Sequence, residues 1–182
     1  MRIVAGRNKG RILLTPDDRA TRPSADRLRE SVFNILANRG LPQAAVVLDV
    51  FAGTGAMGLE AFSRGAARVV LIEKEVPAQR LIAENIKRVR GEAECKLVGR
   101  DAIRPGAPPP GFAADLVFLD PPYGKGLNEA ALAALDAAGW LAPAALVVAE
   151  HEHREEPAWP AGFTVEDRRR YGKGAITVLG RD

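Results

Sequence analysis

A single cysteine, Cys95, stands among 182 residues, so no disulfide within the chain braces the fold. It lies in an apolar-alternating run, where a buried thiol is expected rather than a reactive one. Histidine is almost as scarce: the only two form the segment His151-Glu152-His153. Two histidines one residue apart, with no third ligand in pattern, do not make a metal site, and the segment reads as solvated. No run of 18 apolar residues exists, and Met1-Arg2-Ile3-Val4-Ala5-Gly6-Arg7 lacks the apolar stretch of a secretory signal. The expectation is a cytoplasmic protein without membrane association. A hydrophobic content of 47% is enough for one globular core at this length.

The net charge of +3 says little about partners until its distribution is counted. Residues 1–29 carry eight arginines and lysines against three aspartates, a net of +5, while the remainder carries 18 against 20, a net of −2. A basic head on a near-neutral body suits a phosphate-contacting appendage, and equally a solvated arm. Arg168-Arg169-Arg170 is open in the same way, to a phosphate contact or to the charged edge of a strand.

Two short apolar runs flank Gly6-Arg7-Asn8-Lys9-Gly10-Arg11 and predict a small hairpin. A helix follows from Pro23-Ser24, with Ser24 as its cap and Leu28, Val32, Ile35 and Leu36 on one face. From residue 46 onward, apolar runs at 46–50, 69–73, 95–98, 115–119 and 145–148 alternate with helical patterns near 57–64, 78–89 and 129–138. This alternation predicts an α/β fold with a mostly parallel sheet and helices on both faces. Residues 163–170 and 175–179 read as a closing antiparallel hairpin. The boundaries expected are an extension over 1–40 and a doubly wound domain over 41–182.

The first strong strand runs into Asp49-Val50-Phe51-Ala52-Gly53-Thr54-Gly55-Ala56-Met57-Gly58 and then into a helix. In open parallel sheets ligands bind beyond the carboxyl ends of strands, where glycine lets the backbone approach closely. Glu73, 20 residues past Gly53, can hold two ribose hydroxyls. An adenosine-bearing ligand is implied, and both NAD and S-adenosylmethionine carry one. Asp49 favours the second, because a carboxylate attracts a cationic methionine end and repels a pyrophosphate. A small NAD(P)-dependent oxidoreductase would also explain the glycines but leaves the next motif idle.

That motif is Asp120-Pro121-Pro122-Tyr123, at the end of the fourth strand. Two prolines fix φ and donate nothing, leaving carbonyls beside Asp120 as acceptors. The Asp120 carboxylate and Pro121 carbonyl can each take one proton of an exocyclic amine, turning its lone pair toward an activated methyl group. Tyr123 can stack on a base withdrawn from its helix. The chemistry predicted is methylation of a nucleic-acid amino group, with adenine, cytosine and guanine all open.

The two motifs together resemble the class I, Rossmann-like methyltransferases with an Asp-Pro-Pro-Tyr signature. Residues 22–34, 48–65 and 6–11 narrow this: the chain resembles the RsmD family, bacterial methyltransferases of a guanine N2 amine in 16S ribosomal RNA. The resemblance implies a seven-stranded sheet with an antiparallel C-terminal strand. It implies that Asp49, Phe51, Ala52, Gly53, Thr54 and Gly55 hold the methionine part of S-adenosylmethionine and Glu73, with Lys74 beside it, the ribose. Asp101 and Ala102 match the adenine-contacting position, and Asp120 to Tyr123 would hold the guanine. The family's N-terminal hairpin and helix cover the active-site mouth, so Arg22, Ser24, Arg27 and Asn34 are expected to approach RNA; Ser24 stands where threonine is commoner. The partner implied is 16S rRNA in the small subunit or its assembly intermediate, and the protein is expected to act as a monomer without metal.

Overall fold

The computed structural model describes residues 1–16 and 23–182, with only the helical backbone at 23–25. Its elements are α1 (Pro23–Ala37), β1 (Val46–Val50), α2 (Ala56–Ser63), β2 (Arg68–Ile72), α3 (Val76–Arg88), β3 (Cys95–Val98), β4 (Ala114–Leu119), α4 (Leu127–Ala137), β5 (Leu141–Glu152), β6 (Phe163–Tyr171) and β7 (Gly174–Arg181). The seven strands run in the order β3-β2-β1-β4-β5-β7-β6. The first five are parallel, and β7 is antiparallel to both β5 and β6. The closing hairpin is therefore inserted, its second strand lying between β5 and its first. Chain order reverses between β1 and β4, which places a crevice beyond their carboxyl ends.

Each central strand is buried on both faces, and its period of two divides the core. Val47, Val69, Leu71, Leu116 and Phe118 pack with Phe33 of α1, Leu59 and Phe62 of α2, and Ile82 and Ile86 of α3. Leu48, Val50, Val70, Val117 and Leu119 pack on the opposite side with Leu132 and Leu135 of α4 and with Trp140. Each fully buried aliphatic side chain contributes about 1.5–3 kcal/mol relative to exposure. A one-residue slip in any strand would exchange the two sets.

The N-terminal hairpin closes on one antiparallel bridge, Arg2 to Ile12, with the Ile3, Gly10 and Leu13 amides bonding across it, and it docks on α2. Glu60, fully buried on that helix, accepts the backbone amides of Val4 and Ala5 at 2.8 and 3.0 Å. It also takes Arg64 Nε at 2.8 Å and lies 3.6 Å from Arg29 Nε of α1. The turn at Arg7 and Asn8 bonds to Ser63 at the far end of α2, while Met1 and Leu14 lie by the glycine loop. Only the ends of the hairpin thus reach the crevice.

Three local expectations change. Helix α1 begins at Pro23, whose missing amide suits the first helical position, so Ser24 lies inside the first turn instead of capping it. Strand β5 is three times the predicted length. Pro143 hides its start, because it sits where the β4 pairing shifts register between Leu141 and Leu146, the kind of irregularity that tolerates proline. His151 is 1% exposed, not solvated: its ring nitrogens lie 2.8 Å from the Glu152 carbonyl and 2.8 Å from Thr177 Oγ1.

Candidate active site

At the tip of β1, Asp49 is buried and its Oδ2 accepts the Gly58 amide at 2.8 Å. Burial pushes its pKa up to about 7, against the lowering effect of that amide, and the charge of Glu73 adds to the rise. A cationic ligand relieves this penalty; a pyrophosphate deepens it. The loop that follows turns through positive φ at Phe51 (60°), Gly53 (57°) and Gly55 (78°). Left-handed backbone at Phe51 costs about 1–3 kcal/mol, a strain typical of ligand-binding turns. The three glycines do different work. A Cβ at Gly53 would meet nothing nearer than 3.9 Å, whereas one at Gly55 would lie 2.9 Å from Leu71 and one at Gly58 would lie 3.0 Å from Val69. Gly53 faces the crevice, and the other two let α2 pack close to the sheet.

Glu73, just past β2, is 8% exposed and braces this loop: its Oε2 accepts the Gly53 amide at 2.9 Å and its Oε1 the Glu75 amide at 2.9 Å. A carboxylate has about four acceptor positions, so capacity remains for ribose hydroxyls. Asp101, past β3, turns its Oδ1 back to the Ile103 amide at 3.2 Å, beside the buried Ala102. Lys74 is exposed and reaches the group through its carbonyl, which accepts Gln79 Nε2 at 3.2 Å. Three carboxylates at three neighbouring strand ends suit the hydroxyls, amine and cationic end of S-adenosylmethionine, so the residues fit that cofactor.

The Asp-Pro-Pro-Tyr corner stands one strand away. Val50 pairs with Leu119, neighbouring strands are about 4.8 Å apart, and the Asp120 amide points to the Val50 carbonyl at 3.5 Å. The Asp120 residue is exposed, Pro121 is buried and Tyr123 is 44% exposed. The Tyr123 hydroxyl donates to Glu150 Oε1 at 2.5 Å. Its pKa is raised by burial first, then by that bond and by the charges of Glu150, Asp120 and Glu155. Burial also raises Glu150, against the lowering effects of the tyrosine hydroxyl and of His151. The loop is pinned by Glu155, which accepts the Gly124 amide at 2.6 Å and the Glu152 amide at 3.0 Å. Arg168 holds that segment in turn, donating to the His153 and Glu155 carbonyls and to the Glu156 carboxylate. This guanidinium is committed within the protein.

The structure thus gathers Asp49, Phe51 to Gly55, Glu73, Asp101 and Ala102 on one side of the crevice and Asp120 to Tyr123 on the other. Arg27 and Asn34 are exposed on α1; Arg22 and the Ser24 side chain lie outside the described residues. Sequence reasoning missed Glu60, Asn85, Glu150 and Glu155. Asn85 is fully buried in α3 and joins the Leu14 backbone to the Thr54 carbonyl at 2.7–3.0 Å, tying the N-terminal arm to the glycine loop. Glu150 follows an apolar run, as Glu73 and Asp120 do, but the charged residues after it obscured that signal. Among the described residues no three His, Cys, Asp or Glu side chains converge on a metal position, and no helix is long and apolar enough to cross a membrane. Cys95 is buried, and burial pushes its thiol up to about 12.

The chain is similar to known proteins along nearly its whole length. The family described as Conserved hypothetical protein 95 matches residues 1–180. Ribosomal RNA small subunit methyltransferase D of Escherichia coli is 36% identical, covering the whole chain and 90% of that protein. The protein of the same name from Haemophilus influenzae is 32% identical over 91% of the chain and 86% of its own length. The solved structure of the methyltransferase yhhF from Escherichia coli superimposes with a TM-score of 0.87 at 34% identity, covering 100% and 98% of the two chains. With a family match over nearly every residue and relatives of this identity along their length, the chain belongs to the RsmD family.

Proposed function

We propose that this protein transfers a methyl group from S-adenosylmethionine to the N2 amine of a guanine in 16S ribosomal RNA, within the small subunit or an assembly intermediate. The observation that carries the reading is the adjacency of β1 and β4, which sets the carboxylate-lined glycine loop beside Asp120-Pro-Pro-Tyr. When bound, S-adenosylmethionine supplies a sulfonium-activated methyl group as electrophile. Asp49, Glu73 and Asp101 bind and orient it; Gly53 leaves the crevice open; Ala102 closes the adenine side. Asp120 and the Pro121 carbonyl accept the two amine protons, so the nitrogen lone pair is directed out of conjugation, and Asp120 takes the proton shed once the bond has formed. Pro121 and Pro122 hold this corner rigid, and the Tyr123 ring supports the base.

Residues 1–40 form the RNA side and residues 41–182 the methyl-transfer domain. Arg27 and Asn34, exposed on α1, and Arg22 and Ser24 at its start are the residues assigned to RNA contact. The protein works as a monomer in the cytoplasm. Mass-spectrometric mapping of 16S rRNA from a strain lacking this protein, and from the same strain complemented, tests the reading. One N2-methylguanine should vanish and return; an intact methylation pattern, or loss of an adenine or cytosine methyl group instead, overturns it.

A further inference from the structure

The corner motif explains how an amine is held but not which base carries it. The three candidate amines differ in what stands beside them on the ring. In adenine and cytosine the neighbouring Watson–Crick ring nitrogen is a bare acceptor, whereas in guanine it is N1–H, a donor. A site that selects guanine must therefore present an acceptor next to the group that grips the amine.

Such an acceptor is in place. A cavity of about 220 Å³ opens beside the corner and is lined by Pro121, Pro122, Tyr123, Asn128 and Glu150, among others. The register Leu119 to Ala149 makes Asp120 and Glu150 the next residues on neighbouring strands, about 4.8 Å apart at the backbone. Three further carboxylates border the cavity, and each is occupied within the protein: Glu129 takes the Ala158 amide, Glu155 the Gly124 and Glu152 amides, and Glu156 the Arg168 guanidinium. Glu150 differs. Among the described residues its carboxylate accepts one hydrogen bond, the mobile proton of a half-exposed tyrosine hydroxyl, and a carboxylate so engaged retains acceptor positions. A second observation points the same way. Asn128 is 5% exposed and donates to the Glu150 carbonyl at 2.9 Å, while its Oδ1 has no hydrogen-bond partner among the described residues. Apart from the exposed Lys125, the side-chain donors of this wall are committed within the protein, Asn128 Nδ2 to the Glu150 carbonyl, the Tyr123 hydroxyl to Glu150 and the His151 ring to Thr177 and the Glu152 carbonyl, whereas Glu150 keeps acceptor positions for guanine's N1–H.

We propose that Glu150 is the residue that selects the base, its carboxylate accepting N1–H of the flipped guanine while Asp120 and the Pro121 carbonyl hold the adjacent amine. The proposal rests on the guanine-N2 reading above and deepens it.

The test uses small subunits reconstituted with RNA carrying either guanine or 2-aminopurine at the mapped nucleotide. 2-Aminopurine keeps the reacting amine but presents a bare nitrogen where guanine has N1–H. The ratio of kcat/KM for the two substrates is measured by methyl incorporation for the wild type, Glu150→Gln and Tyr123→Phe, with S-adenosylmethionine affinity measured alongside. The wild type should prefer guanine by about tenfold or more. Glu150→Gln, whose amide can donate to the bare nitrogen, should lose at least about tenfold of that preference with cofactor affinity unchanged, and Tyr123→Phe, whatever its rate, should keep the wild-type ratio. An unchanged ratio in Glu150→Gln, including equal loss of both activities, overturns the proposal, as does Tyr123→Phe reproducing the Gln ratio. A failure of the guanine-N2 reading itself would appear earlier and separately, as wild-type enzyme that methylates no guanine.

Discussion

At the tips of β1 and β2, Asp49 and Glu73 are 2% and 8% exposed and bond to backbone amides of the loop they brace. At the tips of β4 and β5, Asp120 is exposed and Glu150 meets a side-chain hydroxyl, on a loop held by other side chains. Carboxylates near the ends of neighbouring strands are therefore built in by two different means. Backbone anchoring on the cofactor side fixes the site before any ligand arrives, at no cost in side-chain entropy on binding. The substrate side meets a base that must be withdrawn from RNA, and depends on that base for its final order. Damage to the first half should appear in affinity and stability, and damage to the second in turnover.

The largest effect should separate the halves outright. Asp120→Ala is expected to lower kcat by about 10³-fold, the scale for loss of a group aligned with the reacting atoms, while the cofactor Kd by isothermal titration stays within about threefold. A Kd that rises in step with the loss of rate would abolish the division. Next comes the pH dependence of the buried side. Asp49 is raised from 3.8 to about 7, so its stabilising contribution is fully present below 3.8 and is lost as pH rises through 7. Urea unfolding between pH 4 and 7 should show a slope from this group of up to about 1.4 kcal/mol per pH unit, missing in Asp49→Asn. An identical slope in the two proteins would mean that this carboxylate does not titrate in that range. The smallest effect is assigned to Glu73→Ala, which removes the partner of two amides and the ribose acceptor. Cofactor affinity should weaken by about ten- to a hundredfold, with kcat at saturating cofactor nearly unchanged. A fall in kcat alone would move Glu73 to the substrate side of the comparison.

These contrasts also explain what could be read without coordinates. The cofactor side was legible because its chemistry is local: Asp49, the glycines and Glu73 lie at the ends of two clean apolar strands, and glycine spacing reports backbone geometry directly. Asp120-Pro-Pro-Tyr was legible for the same reason. Glu150 was not, because Pro143 and the charged residues at 150–153 disguise β5, although the strand's alternation is what turns His151 inward and Glu150 toward the crevice. Glu60 and Asn85 were hidden for a different reason. Their partners in the N-terminal arm are 55 to 71 residues away along the chain, and no local period announces such a pairing.

The acid at position 60 has a last consequence, for the order in which the chain takes shape during synthesis. The group that receives the amides of Val4 and Ala5 leaves the ribosome some 55 residues after them. The head of the protein must wait as an unfolded leader until α2 has emerged and coiled. Those two bonds form only with that helix in place.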